Sequence, residues 1–161
     1  MTATQKKPAS TEKNTKAQEA TALLRADHKA VEDLFEQYER ARSTSKKQSL
    51  VAEICMELTV HAQIEEEIFY PAIKSILDDK ELVPEAIVEH ATLKDLIAQL
   101  EDGKPGDEMY DAKVKVLSEY VKHHVKEEQG DIFPKVKSSK LDLYELGEKL
   151  QQRKEELMGE K

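Results

Sequence analysis

Histidine and glutamate stand four residues apart twice in this chain, at His61 and Glu65 and again at His124 and Glu128. On an α-helix that spacing sends both side chains from one face, one turn apart, so their donor atoms can meet at a common point. Each pair runs into similar sequence, Ile68-Phe69-Tyr70-Pro71 after the first and Ile132-Phe133-Pro134 after the second. Two more histidines precede the pairs, in Asp27-His28 and Glu89-His90. His28 and His90 are 62 residues apart and His61 and His124 are 63 apart, so the chain reads as a helical hairpin used twice. Imidazole and carboxylate donors without thiolate are a set that suits iron, manganese or zinc.

Helices must position these groups. Leu24, His28, Val31, Phe35 and Tyr38 recur on one stripe, predicting a first helix from about residue 19 to 42. After Ser43-Thr44-Ser45, a second helix from about Lys46 carries Val51, Ile54, Leu58, His61, Glu65, Ile68 and Phe69 inward, with Pro71 kinking it or ending its regular part and a remnant running to about Leu77. A third, about Val83 to Glu101, aligns Ala86, His90, Leu93, Ile97 and Leu100. The Gly103-Lys104-Pro105-Gly106 turn leads to a fourth helix from near Asp107, with Val114, Leu117, Val121, His124, Glu128 and Ile132 on its stripe. Gly130 and Pro134 weaken its far end, as Pro71 does in the second. Residues 141–157 form a fifth, narrower amphipathic segment with Leu143, Leu146, Leu150 and Leu157, packed outside the bundle or used for dimer contact.

The expected organisation is therefore all-α: a tail over residues 1–19 with no apolar periodicity, read as disordered, an up-down-up-down four-helix bundle over 20–137, and an additional C-terminal helix over 138–161. Burying an imidazole or carboxylate against hydrocarbon costs several kcal/mol unless hydrogen bonds, opposite charges or a metal compensate. Any one buried histidine is ordinarily a hydrogen-bonded core residue. Six such groups in register point instead to metal, with His28, His61, His90 and His124 in one layer and Glu65 and Glu128 bridging two ions. Two iron ions are the expected cofactor, an oxo- or hydroxo-bridged pair being one form of it, with manganese or zinc as substitutes. The ligand count leaves coordination positions for a small molecule.

At these residues the sequence resembles the hemerythrin family, and more closely its bacterial branch, the HHE cation-binding domain. The resemblance covers roughly Leu23 to Val136 and rests on Ala26-Asp27-His28, His61-x-x-x-Glu65 with Phe69-Tyr70-Pro71, Glu89-His90, and His124-x-x-x-Glu128 with Ile132-Phe133-Pro134. It implies a non-haem di-iron centre with His28 and His61 terminal on one iron, His90 and His124 on the other, and Glu65 and Glu128 between them. Dioxygen, peroxide and nitric oxide are the small molecules it implies. Two departures stand out: Lys94 occupies the place of a second third-helix histidine in oxygen-carrying members, and His124-x-x-x-Glu128 replaces their closing His-x-x-x-x-Asp. Without that extra histidine the two irons become more alike, which favours reaction with an oxidant, or sensing, over reversible oxygen carriage.

Several neighbours compete for a role. His123 pairs with Glu127 on a less apolar face, Glu66 and Glu67 read as a solvated face, Glu32 and Lys94 as edge residues in surface ion pairs, and Tyr120 as a packing residue within reach of the site. A net charge of −8 argues against a nucleic-acid partner. The apolar runs fall far below the roughly 20 residues needed to span a bilayer, and no signal peptide is legible, so a cytoplasmic protein, monomer or homodimer, is expected. Cys55 is the single cysteine, so no internal disulfide can form, and it reads as a buried small hydrophobe. Two functions from different classes follow: a di-iron protein that binds or reacts with a small oxidant, with oxidase or peroxide-consuming turnover left open, or an iron-responsive binding module without turnover. A metal-free bundle with core histidines is the third.

Overall fold

A computed structural model describes residues 18–159. The tail read at residues 1–19 lies outside them except for its last two, of which Glu19 caps the first helix by accepting from the Thr21 backbone N–H at 2.8 Å and the Thr21 hydroxyl at 2.6 Å. The helices are α1 (Ala20–Arg40), α2 (Thr44–Ile64), α3 (Tyr70–Ile73), α4 (Leu82–Glu101), α5 (Glu108–Glu127), α6 (Phe133–Lys137) and α7 (Leu143–Gly159). Ser43 caps α2 through the Lys46 N–H, and Asp107 caps α5 through the Met109 N–H, so polar side chains start both helices where orphan backbone donors need them. Gly106 closes the intervening turn at φ +98°, a conformation that side chains resist. The architecture is an up-down-up-down bundle with α7 laid across it.

Two rods differ from the expected simple kink. Between α2 and α3, residues Glu65–Phe69 form a π-helical turn, and between α5 and α6, Glu128–Ile132 form another. The Tyr70 N–H reaches back five residues to the Glu65 carbonyl, and the Phe133 N–H to the Glu128 carbonyl. The second residue beyond each widened turn is a proline, Pro71 or Pro134, whose ring lacks a donor and crowds the preceding turn. The prolines thus displace the irregularity upstream, onto the glutamates, and the first rod continues only to Ile73 rather than to Leu77. Such turns insert a residue into the ladder and re-aim side chains.

The apolar interior falls into two clusters. One holds Leu24, Ile64, Phe69, Tyr70, Ile132 and Phe133, and the other Val31, Phe35, Ile54, Leu58, Leu93, Ile97 and Leu117. Along each rod the inward polar residues separate them: His28 between Leu24 and Val31, His61 between Leu58 and Ile64, His90 between Ala86 and Leu93, His124 and Glu128 between Val121 and Ile132. Helix α7 buries Leu146, Gly147 and Leu150 against the first cluster, with Leu143 and Leu157 only partly covered. A Cβ on Gly147 would strike the Gln18 carbonyl oxygen and the Ala20 nitrogen, so glycine is what allows α7 to cross the start of α1 this closely.

Candidate metal centre

All six residues singled out by spacing are buried and face one point, with Glu65 and Glu128 fully enclosed. Donor atoms of His28, His61, Glu65 and Glu128 lie within 4.8 Å of one another, as do those of Glu65, His90 and His124. Glu65 belongs to both groups. The shortest approaches are His28 Nε2 to Glu128 Oε1 at 3.0 Å, His90 Nε2 to Glu65 Oε1 at 3.1 Å and His61 Nε2 to Glu65 Oε2 at 3.4 Å. The Nε2 atoms of His90 and His124 stand 3.2 Å apart.

The far nitrogen of every ring decides what the near one can do. His61 Nδ1 donates to Asp27 Oδ2 at 2.9 Å, His124 Nδ1 to Glu89 Oε1 at 2.6 Å, His90 Nδ1 to Glu66 Oε2 at 2.7 Å, and His28 Nδ1 to Gln129 Oε1 at 2.7 Å. All four partners are acceptors, which fixes the ring proton on Nδ1 and turns the Nε2 lone pairs toward the two carboxylates. Lone pairs facing carboxylate oxygens, and one another, repel unless protons or cations lie among them. His61 Nε2 and Glu65 Oε2 are buried without a hydrogen-bond partner among the described residues. A metal ion is the partner this donor set fits.

Electrostatics say the same. Burial alone pushes the His61 imidazolium down, but the Glu65 charge and the Asp27 hydrogen bond override it and raise the pKa to about 10. Burial likewise opposes charge on His124, and Glu128 and Glu65 lift it to about 11. Burial opposes the Glu65 charge too, yet the surrounding imidazoles hold its carboxyl well below the usual range. The pocket therefore demands positive charge beside its carboxylates. Tyr70 closes one side: its hydroxyl donates to Glu128 Oε2 at 2.6 Å and lies 3.1 Å from Glu65 Oε1, and burial beside those carboxylates keeps the phenol protonated. On the other side Phe133 stacks parallel to His28, ring centroids 6.0 Å apart.

A model of the Hemerythrin HHE cation binding domain matches residues 19–136. The chain belongs to this family. A crystal structure of a hemerythrin HHE cation binding domain-containing protein from Mycobacterium kansasii superposes on this HHE domain with a TM-score of 0.77 at 26% identity, covering 88% of each chain. A curated relative, named a DNA nickase, from Nostoc sp. (strain PCC 7120 / SAG 25.82 / UTEX 2576), is 27% identical over 117 residues. That match takes in 73% of this HHE domain chain but only 33% of the Nostoc protein, so the chain spans about a third of that relative. No helix among the described residues is long and apolar enough to cross a membrane.

The neighbouring residues sort differently from the sequence reading in two cases, Glu66 and Tyr120. Glu66, read as solvated, is half-buried and carries both the His90 hydrogen bond and an ion pair with Lys94 at 2.9 Å. What Glu66 holds depends on how α4 packs beside it, which spacing along a single helix does not contain. Gln129, one place after Glu128, was missed for the same reason. Glu67 does face outward and pairs with Arg153 on α7 at 2.8 Å. Glu32 sits on the surface beside Lys29, and Tyr120 is exposed away from the centre. His123 points to solvent between Glu127 at 3.2 Å and Glu89 at 3.5 Å. Cys55 is buried, and burial pushes its thiol up to about 12, leaving it inert.

Proposed function

We propose that this HHE domain holds two iron ions and that the pair binds or reacts with a small oxidant such as dioxygen, peroxide or nitric oxide. In this reading His28 and His61 serve one ion, His90 and His124 the other, and Glu65 and Glu128 bridge, with residues 20–137 as the metal-holding unit. The observation that carries it is the set of four rings whose Nδ1 atoms are all engaged by outer acceptors, so that four Nε2 donors face two buried carboxylates. The bound pair supplies Lewis acidity and one-electron redox capacity. The chain supplies the rest. Leucine and phenylalanine walls exclude bulk water, the outer acceptors orient the rings, and the Tyr70 hydroxyl offers a proton at the oxygen of Glu128. A surface groove of about 680 Å³ between α1 and α5, with His28, Gln129 and Val125 on its walls, brings open space to the outer edge of one proposed ligand.

DNA nicking is not carried over from the Nostoc protein, since the match covers a third of it and this chain bears a net charge of −8 without a basic cluster. The test uses purified protein loaded with ferrous iron under reducing conditions. Dioxygen consumption or peroxide turnover by the loaded chain, lost in Glu65→Ala, is expected. Repeated binding and release of dioxygen without oxidation would overturn the reactive reading, and a loaded chain inert to all three molecules would leave iron-responsive binding as the function.

A further inference from the structure

Helix α7 lies outside the span that defines the family, yet one of its side chains reaches the metal centre. Lys154 Nζ donates to Asp27 Oδ1 at 2.6 Å, and the other oxygen of the same carboxylate accepts from His61 Nδ1 at 2.9 Å. Asp27 is buried, only 4% exposed, so its charge needs partners inside the fold. The two it has are a ligand-bearing ring and a lysine that arrives from 127 residues further along the chain. Gly147 sets the height at which α7 crosses α1, and Leu146 and Leu150 anchor it there, so Lys154 is delivered by packing rather than by an exposed ion pair.

We infer that Lys154 is a positioning residue for the metal centre: by sharing Asp27 with His61 it makes docking of α7 and binding of metal at the His61 end favour one another. This rests on the di-iron reading above. The physical basis is direct. With a cation held at its Nε2, the His61 ring would be fixed in plane with its Nδ1–H aimed at Asp27, which would hold that carboxylate in the place where Lys154 meets it. A docked Lys154 in turn fixes the rotamer of Asp27 and hence the plane of His61. Coupling of two such equilibria is reciprocal, so metal must tighten α7 as much as α7 tightens metal. Arg153, the adjacent residue, provides an internal control, because its pair with exposed Glu67 lies on the outer surface of α7, contributes little to docking and touches no residue that holds a ligand.

The experiment compares full-length wild type, Lys154→Met, Lys154→Arg and Arg153→Ala, each loaded with ferrous iron. Iron release to an excess of a ferrous chelator is followed optically, and backbone amide exchange over 143–159 is measured with and without iron. Lys154→Met should release about half of its iron several-fold faster, Lys154→Arg should restore most of the retention, and Arg153→Ala should match wild type. In the wild type, iron should slow exchange in α7. Equal release from wild type and Lys154→Met, or equal acceleration in Arg153→Ala, overturns the inference while leaving the di-iron reading intact. Unchanged α7 exchange on loading the wild type overturns it too, independently of any variant. A wild type that takes up no iron overturns both.

Discussion

The two hairpins of this HHE domain present the same ligands but do not support them alike. In the first, Asp27 precedes His28 and holds His61; in the second, Glu89 precedes His90 and holds His124. In the first, Glu66 follows Glu65 and holds His90; in the second, Gln129 follows Glu128 and holds His28. The scheme is an exact exchange of partners between equivalent positions, broken at one chemical step, the neutral amide of Gln129. The groups behind the carboxylates differ as well: Lys154 backs Asp27, Lys94 backs Glu66, and among the described residues the exposed His123 ring stands beside Glu89 where a lysine stands in the other two. A ring donating to a carboxylate is the more basic ligand, so in the proposed di-iron reading the two ions would have identical donor atoms made unequal from outside.

Each difference can be erased or deepened. The largest effect is expected where nothing can substitute. Glu65→Ala and Glu128→Ala would each remove a carboxylate that the proposed reading shares between both ions, and should reduce bound iron to a small fraction of wild type by elemental analysis. Next come the ring partners: Asp27→Asn or Glu89→Gln should weaken iron binding by about 10- to 100-fold in a competitive chelator titration, the range typical of such outer partners. Gln129→Glu makes the hairpins alike and should tighten iron binding at the His28 end, whereas Glu66→Gln, which makes them alike in the opposite sense, should weaken it at the His90 end. Equal affinities across that pair would show that the neutral amide is without effect. The smallest change is expected for Lys94→Met, whose half-exposed ion pair is worth about 0–1 kcal/mol in thermal unfolding.

A pH series sharpens the comparison between metal-free and loaded protein. His61 and His124 bind protons more tightly folded than unfolded, so their stabilisation of the metal-free chain is complete below about pH 6.5 and is lost as pH climbs through about 10 and 11. Glu65 runs the other way, contributing above the ordinary carboxylate range and losing that contribution in acid. Iron takes the place of the imidazole protons, so loading should release protons and tighten with pH. The gap in Tm between loaded and metal-free protein should therefore widen from pH 6.5 to 9 in scanning calorimetry. A constant gap would mean that no proton is displaced.

Much of this was legible in the residues themselves. Stripes of apolar side chains at helical spacing marked the rods, and the inward faces of Leu24, Val31, Leu58, Leu93 and Leu117 are buried as that periodicity requires. The duplicated His-x-x-x-Glu pairs found the polar layer because spacing on a helix is a statement about direction. What remained hidden depends on contacts between distant segments. Glu66 and Gln129 hold rings of other helices, His90 and His28, so their roles emerge only once those helices are packed. Asp27 and Glu89 stood beside histidines as matching pieces of the repeat, but that each serves the histidine of the neighbouring helix emerges only once the helices are packed. The Lys154 contact spans 127 residues and depends on a single glycine crossing, which no local pattern announces.

The central claim is that four imidazoles and two carboxylates clasp a pair of iron ions with room for an exogenous ligand. Elemental analysis of reductively loaded protein, paired with its optical spectrum before and after azide, tests this most directly. Two irons per chain, and a new visible band on adding azide to the oxidised form, are the predicted result. One iron or none per chain after loading, or two irons whose spectrum azide leaves unchanged, would contradict it.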